Sequence, residues 1–200
     1  LRARLSPDDP LLFAVGDGNH SLAAAKACWE EIKPRLTPAE TVVHPARFAM
    51  VELENIHDDA LRMEPIHRVL FGCDGDDLLN EIAAFAAEKG ATLAAGPQAQ
   101  EITVVYEGKE VTLSIEGSPY NLAVGTLQAF LDWWLLSHPQ ARLDYIHGED
   151  TVRTLVAGEG AVGFLLPTPE RDRLFDTIRA EGALPRKTFS LGSANEKRYY

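Results

Sequence analysis

Gly16, Asp17, Gly18, Asn19 and His20 stand side by side between an apolar run and a helical pattern, and together they carry groups that phosphate handling requires. Glycines between a strand and a helix leave backbone N–H groups exposed at the positive end of the helix dipole, which suits an anion. Gly18, Asn19, His20 and Ser21 are the candidate phosphate-contacting residues of this stretch. Asp17 could accept a proton from a hydroxyl or hold Mg²⁺ through water, since that ion prefers hard oxygen ligands. His20 could donate to a phosphate oxygen. Asp17 and His20 are therefore the candidate catalytic pair, and Asp17 is also the candidate metal residue. Lys26 lies six residues beyond His20, nearly two helical turns away, and shares its face only loosely. The same residues admit a purely conformational reading, in which Asp17 or Asn19 caps the helix and Gly16 and Gly18 supply positive φ to a tight turn.

Other groups with chemistry lie further along. His67 and Arg68 fall in "MEPIHRVLF" (63–71), which reads as a strand. Neighbours on a strand point to opposite faces, so only one of the two can face a given site. "HGEDT" (147–151) follows a strand and precedes a helix, copying the topology of the first turn, and makes His147 and Glu149 secondary candidates beside His67. Acids at a helix start also serve simply as dipole-favoured capping groups. "LPRKTFS" sets Arg186 and Lys187 beside the hydroxyls of Thr188 and Ser190, a combination that suits either a phosphate contact or a solvated tail. His44, His57 and His138 read as surface residues, and Trp133 and Trp134 as core. His20, His67 and His147 could supply imidazoles to a metal, but no HExxH or comparable ligand spacing supports a hydrolase.

The elements that must position these groups alternate. "LLFAV" (11–15) has the look of a short buried strand, and 20–33 carries apolar residues at helical spacing until Pro34. "RFAMVELEN" (47–55) and "MEPIHRVLF" read as two strands that pair through "IHDDALR". "DDLLNEIAAFAAEKG" (76–90) opens on acids and closes on Lys-Gly, as a helix should. "EITVVYEGKEVTLSIEG" (101–117) predicts a hairpin around Glu-Gly-Lys. A Trp-rich helix, the strand "LDYIHG", a helix from about 149, the run "AVGFLLPTP" and a last helix over 170–181, ended by Gly182, complete the pattern. The expected fold is α+β, a mixed sheet with flanking helices. One domain over 1–183 and an extended tail over 184–200 are expected, with the whole being the C-terminal part of a longer protein.

Composition narrows the function. A net charge of -11 argues against general binding to nucleic acid or an anionic membrane. Gln128 and Asp132 interrupt the most apolar helix, which therefore reads as a core helix rather than a membrane span. Two cysteines, Cys28 and Cys73, give no disulfide framework, so a cytoplasmic location is expected.

"VGDGNHSLAAAK" resembles the Asp-Gly-His-His-Arg box of domain-of-unknown-function family 1015, and "MEPIHRVLF", "DYIHGEDTV", "AVGFLLPTP" and "EGALPRKTFS" follow in the order of that family. The strand, turn and helix of residues 11–33 are also similar to the signature of the ParB and sulfiredoxin superfamily, which includes a free serine kinase. That resemblance implies nucleotide phosphates at the helix start and phosphoryl transfer with Mg²⁺. Two positions depart from the box: Asn19 stands for its first histidine and Ser21 for its arginine. Losing the guanidinium removes a bidentate phosphate clamp, for which Arg68, Lys187 or Lys26 would have to substitute. Two functions follow as expectations. One is a nucleotide-dependent small-molecule kinase or related phosphotransferase, and the other is a non-catalytic ligand-binding or regulatory module that keeps the phosphate-receiving turn.

Overall fold

Strand β1, Met63–Phe71, is buried without interruption from Ile66 to Leu70, so both of its faces must be covered. A computed structural model, which describes residues 11–192, shows how. The described residues divide into two compact units, the first ending at Leu61 and the second starting at Arg62.

The second unit is built on a seven-stranded open sheet whose pairings are all antiparallel. Its strands after β1 are β2 (Thr92–Leu93), β3 (Gln100–Tyr106), β4 (Lys109–Glu116), β5 (Arg142–His147), β6 (Ala161–Leu165) and β7 (Phe189–Leu191). The order runs β2-β4-β3-β6-β1-β5, with β7 also paired to β1. Helices α3 (Gly75–Glu88), α4 (Ala123–Ser137), α5 (Glu149–Leu155) and α6 (Arg171–Glu181) flank it. The fold is thus the α+β arrangement expected, with an antiparallel rather than a mixed sheet.

Two apolar clusters cover the sheet. Leu70 packs with Leu78, Ile82 and Phe85 of α3 and Leu127, Phe130, Leu131 and Trp134 of α4. Val69, one residue away, packs with Val152 and Val156 of the α5 region. Each fully buried side chain of this size contributes about 1.5–3 kcal/mol relative to exposure. Nine of the fifteen residues of α4 are buried, including Gln128, which explains its apolar sequence as core packing. Trp134 belongs to that core, whereas Trp133, expected there too, sits at the rim, 42% exposed, with its ring beside Phe85 and Phe130.

Local sequence accounts for several element ends. Asp74 caps α3 by accepting from the Asp77 N–H at 3.0 Å. Glu107 and Gly108 both take positive φ (48° and 74°) between β3 and β4, the two-residue turn that matches strand twist. The predicted tail is partly ordered into the sheet, since β7 pairs Phe189 with Pro65 and Leu191 with Met63; residues 193–200 lie outside the described residues.

The first unit holds α1 (Asn19–Ile32), a 3-10 turn through Pro34, the short α2 (Pro38–Val43) and a second 3-10 turn over 45–47. Two expectations fail here. Neither 11–15 nor 47–55 is a strand, and β1 pairs with β5, β6 and β7 instead of 47–55. An apolar extended run becomes a strand only when a neighbour completes its hydrogen-bond ladder. No ladder forms on either segment among the described residues, and Phe13, Val15, Phe48, Met50, Val51 and Leu53 are each more than half exposed.

Candidate functional site

The turn before α1 survives the loss of its preceding strand. Gly18 is the N-cap residue in the left-handed region, φ 78° and ψ 16°, a conformation that glycine adopts at little cost. Asp17 Oδ1 accepts the Gly18 N–H at 2.8 Å, and the Gly18 carbonyl accepts from Leu22 N–H at 2.9 Å to start the helix. No side chain caps α1, and its first turn contains no acid. The capping role open to Asp17 or Asn19 is therefore not taken up, and of the two glycines only Gly18 has positive φ. Asp17, Gly18, Asn19, His20 and Ser21 are all exposed, so the helix start presents its first N–H groups and the His20 imidazole to solvent. An anion would find there both hydrogen-bond donors and the positive end of a 14-residue helix.

The candidates of the second unit fall on two faces of β1, as alternation requires. Arg68 lies on the α4 face and is fully buried. Its guanidinium donates to the carbonyls of Ile66, Lys187 (2.8 Å) and Arg186 (3.1 Å) and to Gln128 Oε1 (3.4 Å). Arg68 is thus brought together with Lys187, but through the Lys187 backbone. Burial pulls the Arg68 guanidinium down to about 10, with the Arg186 charge acting in the same direction and Tyr145 and Asp132 opposing. Gln128, which sequence reading treated only as an interruption of an apolar helix, turns out to be the side chain that meets Arg68, and its amide donates to Asp132 at 2.8 Å. Tyr145 went unremarked in the sequence. The β1–β5 register places it opposite Arg68, with the guanidinium 4.8 Å from its ring centre.

His67 lies on the α5 face and is 2% exposed. Its Nδ1 accepts the Leu166 N–H at 3.1 Å, so the neutral ring carries its proton on Nε2. Burial pushes its pKa below 6.5, against the pull of Glu149 and with help from Arg68, Arg153 and His147. The unfolded chain then binds the proton more readily than the folded one. The stability contributed is complete above the unfolded value of 6.5 and is lost as pH falls through the folded value beneath it. Urea unfolding between pH 8 and pH 5 is expected to show this decline at no more than about 1.4 kcal/mol per pH unit. His67→Gln, whose amide oxygen can accept the same N–H, should flatten the profile; an unchanged decline would assign it to another group. His147 and Glu149 are exposed, and Glu149 accepts from Arg153 at 2.9 Å, an ion pair that also engages Glu110 at 2.7 Å. Among the described residues no group of three or more His, Cys, Asp or Glu side chains could hold a metal ion, and no helix is long and apolar enough to cross a membrane.

Fold and turn together define a mixed α+β protein in which an open antiparallel sheet is flanked by helices and a glycine-bearing helix start is left uncapped. The chain belongs to the family described as protein of unknown function (DUF1015), whose model matches residues 4–134. No curated protein matches the sequence. Among solved structures it is similar to a free serine kinase mutant in complex with ADP, at 14% identity and a TM-score of 0.50, over 86% of this chain and 80% of that one. It is also similar to a free serine kinase mutant in complex with AMP, at 15% identity and a TM-score of 0.48 over the same shares. A conserved hypothetical protein from Pyrococcus furiosus matches at 12% identity and a TM-score of 0.48, over 86% of this chain and 84% of that one. At these identities the likeness is one of fold alone.

Proposed function

We propose that the turn at residues 16–21 binds the phosphates of a nucleotide and that the protein is a phosphotransferase acting on a small hydroxyl-bearing molecule. The observation that carries this reading is the uncapped start of α1 at a left-handed Gly18, where Asp17 stands just before the helix and its first turn contains no acid. The fold likeness to a kinase structure solved with ADP supports it. Phosphate oxygens would sit on the N–H groups of Asn19, His20 and Ser21, with His20 donating from its ring. Asp17 offers one carboxylate, which suits Mg²⁺ arriving on the nucleotide and held mainly by phosphate and water. In transfer, the acceptor hydroxyl would attack the terminal phosphorus, its proton passing to Asp17 while the bridging oxygen leaves with the nucleotide. Two free thiols fit a reducing, cytoplasmic setting.

Thermal unfolding with ADP, ATP, pyrophosphate and phosphate, each with and without Mg²⁺, tests the reading. A ligand that binds only the folded state raises the melting temperature by mass action. The expected result is a nucleotide-specific rise, with its Mg²⁺-dependent part lost in Asp17→Ala and the whole reduced in His20→Ala. The absence of a rise with any nucleotide would overturn it. Ser21, standing where the family box carries arginine, favours a second reading in which the ligand binds without turnover. Transfer of radiolabelled phosphate to an acceptor separates the two.

A further inference from the structure

A second group of cations lies in the second unit. Arg186 Nε donates to the Tyr145 hydroxyl at 2.8 Å, and its guanidinium lies 5.2 Å from the centre of the same ring that Arg68 approaches at 4.8 Å. Two guanidiniums therefore share one aromatic ring. Arg68 also holds the carbonyls of Arg186 and Lys187, which fixes the backbone from which both exposed side chains project. Lys187 sits in the left-handed region at φ 57°, a conformation unfavourable for any residue with a Cβ.

None of these three cations is ion-paired to a carboxylate among the described residues. The nearby acids are engaged elsewhere: Asp132 accepts from Gln128, and Asp144 pairs with Arg142 at 2.9 Å. In a chain of net charge -11 this is a local concentration of positive charge, one member of it buried. The groups left to meet a ligand are all donors: the Arg186 Nη pair, the Lys187 ammonium and the remaining Tyr145 hydroxyl hydrogen.

We infer that Arg186, Lys187 and Tyr145 form a binding site for a compact phosphoryl anion, with Arg68 as the positioning residue beneath it. A guanidinium fork and the ammonium of the next residue offer the donors that a phosphate group takes up.

Titration of the ¹⁵N-labelled 200-residue chain with inorganic phosphate, against sodium chloride at equal ionic strength, tests this. The expected result is a saturable shift of the Arg186 Nε–H and Lys187 amide signals with phosphate and not with chloride. Lys187→Gly places the residue best suited to φ 57° at that position while deleting the ammonium. It should keep or raise the melting temperature while weakening phosphate binding about tenfold, the loss expected for one charge-assisted contact. Equal shifts with chloride, or unchanged phosphate affinity in Lys187→Gly, would overturn the site. The Asn19–Ser21 amides appear in the same spectrum, so the turn and this site succeed or fail separately.

Discussion

Arg68→Met is expected to cost several kcal/mol of stability, because it takes the shared donor from four acceptors at once. Methionine fills much of the volume but leaves the carbonyls of Ile66, Arg186 and Lys187 and the Gln128 amide oxygen without their shared donor. Unpaired buried acceptors cost about 1–3 kcal/mol each, which outweighs the desolvation relieved by removing one cation. Arg68→Lys should not rescue the loss. An ammonium has three hydrogens on a single atom and cannot span four acceptors that Arg68 reaches from three nitrogens. Urea unfolding gives the magnitude, and hydrogen exchange gives the place: the amides of β7 should lose protection first, because the segment before it is fastened through the carbonyls of Arg186 and Lys187. A loss below about 1 kcal/mol, the net worth of a typical single bond, would mean that water replaces the guanidinium at these carbonyls.

The second large effect is expected at Gly75. This first residue of α3 is buried, and a Cβ built on it would lie 2.1 Å from Tyr106 Cδ2 and 2.4 Å from its Cγ. Those atoms are the root of the ring, so a small swing of the side chain cannot clear them. The ring is also tethered, since the Tyr106 hydroxyl donates to Asp76 Oδ1 and the Lys109 ammonium sits 4.8 Å from the ring centre. Gly75→Ala therefore forces either α3 or β3 to shift, at about 1–3 kcal/mol, the usual range for overpacking. Gly158→Ala is the control: its φ is unexceptional and its Cβ would meet nothing within 4 Å, so its stability should match that of the parent. Equal melting temperatures for the two variants would show that the packing at Tyr106 yields without cost.

What the sequence conveyed well was local. The β3–β4 hairpin, β1 and the acid-opened α3 each rest on signals within a few residues: β-branched runs around Glu107-Gly108, an apolar run, and Asp76 and Asp77 at a helix start. The unpaired segments at 11–15 and 47–55 carried the same apolar signal without the partner that makes it a strand. Pairing itself was less legible, because β1 meets residues lying about seventy to a hundred and thirty positions later in the chain. At the candidate site, the Gly18 turn was readable because one glycine sets the local backbone. Alternation correctly separated His67 from Arg68 onto opposite faces. It could not say that the carbonyls of residues 186 and 187 would occupy the guanidinium, nor that Tyr145 would lie against it.

The two thiols offer a chemical means of telling the units apart. Cys73 is half-buried, its Sγ–H directed to the Leu70 carbonyl at 3.5 Å, and burial pushes the thiol up to about 12, with Asp74 adding to the shift. Only a minute thiolate fraction exists there at neutral pH, and the thiolate is the reactive form. Cys28 is exposed on α1, eight residues beyond His20. A maleimide-linked fluorophore thus marks the first unit alone, on the helix that begins at Gly18, with both native cysteines in place.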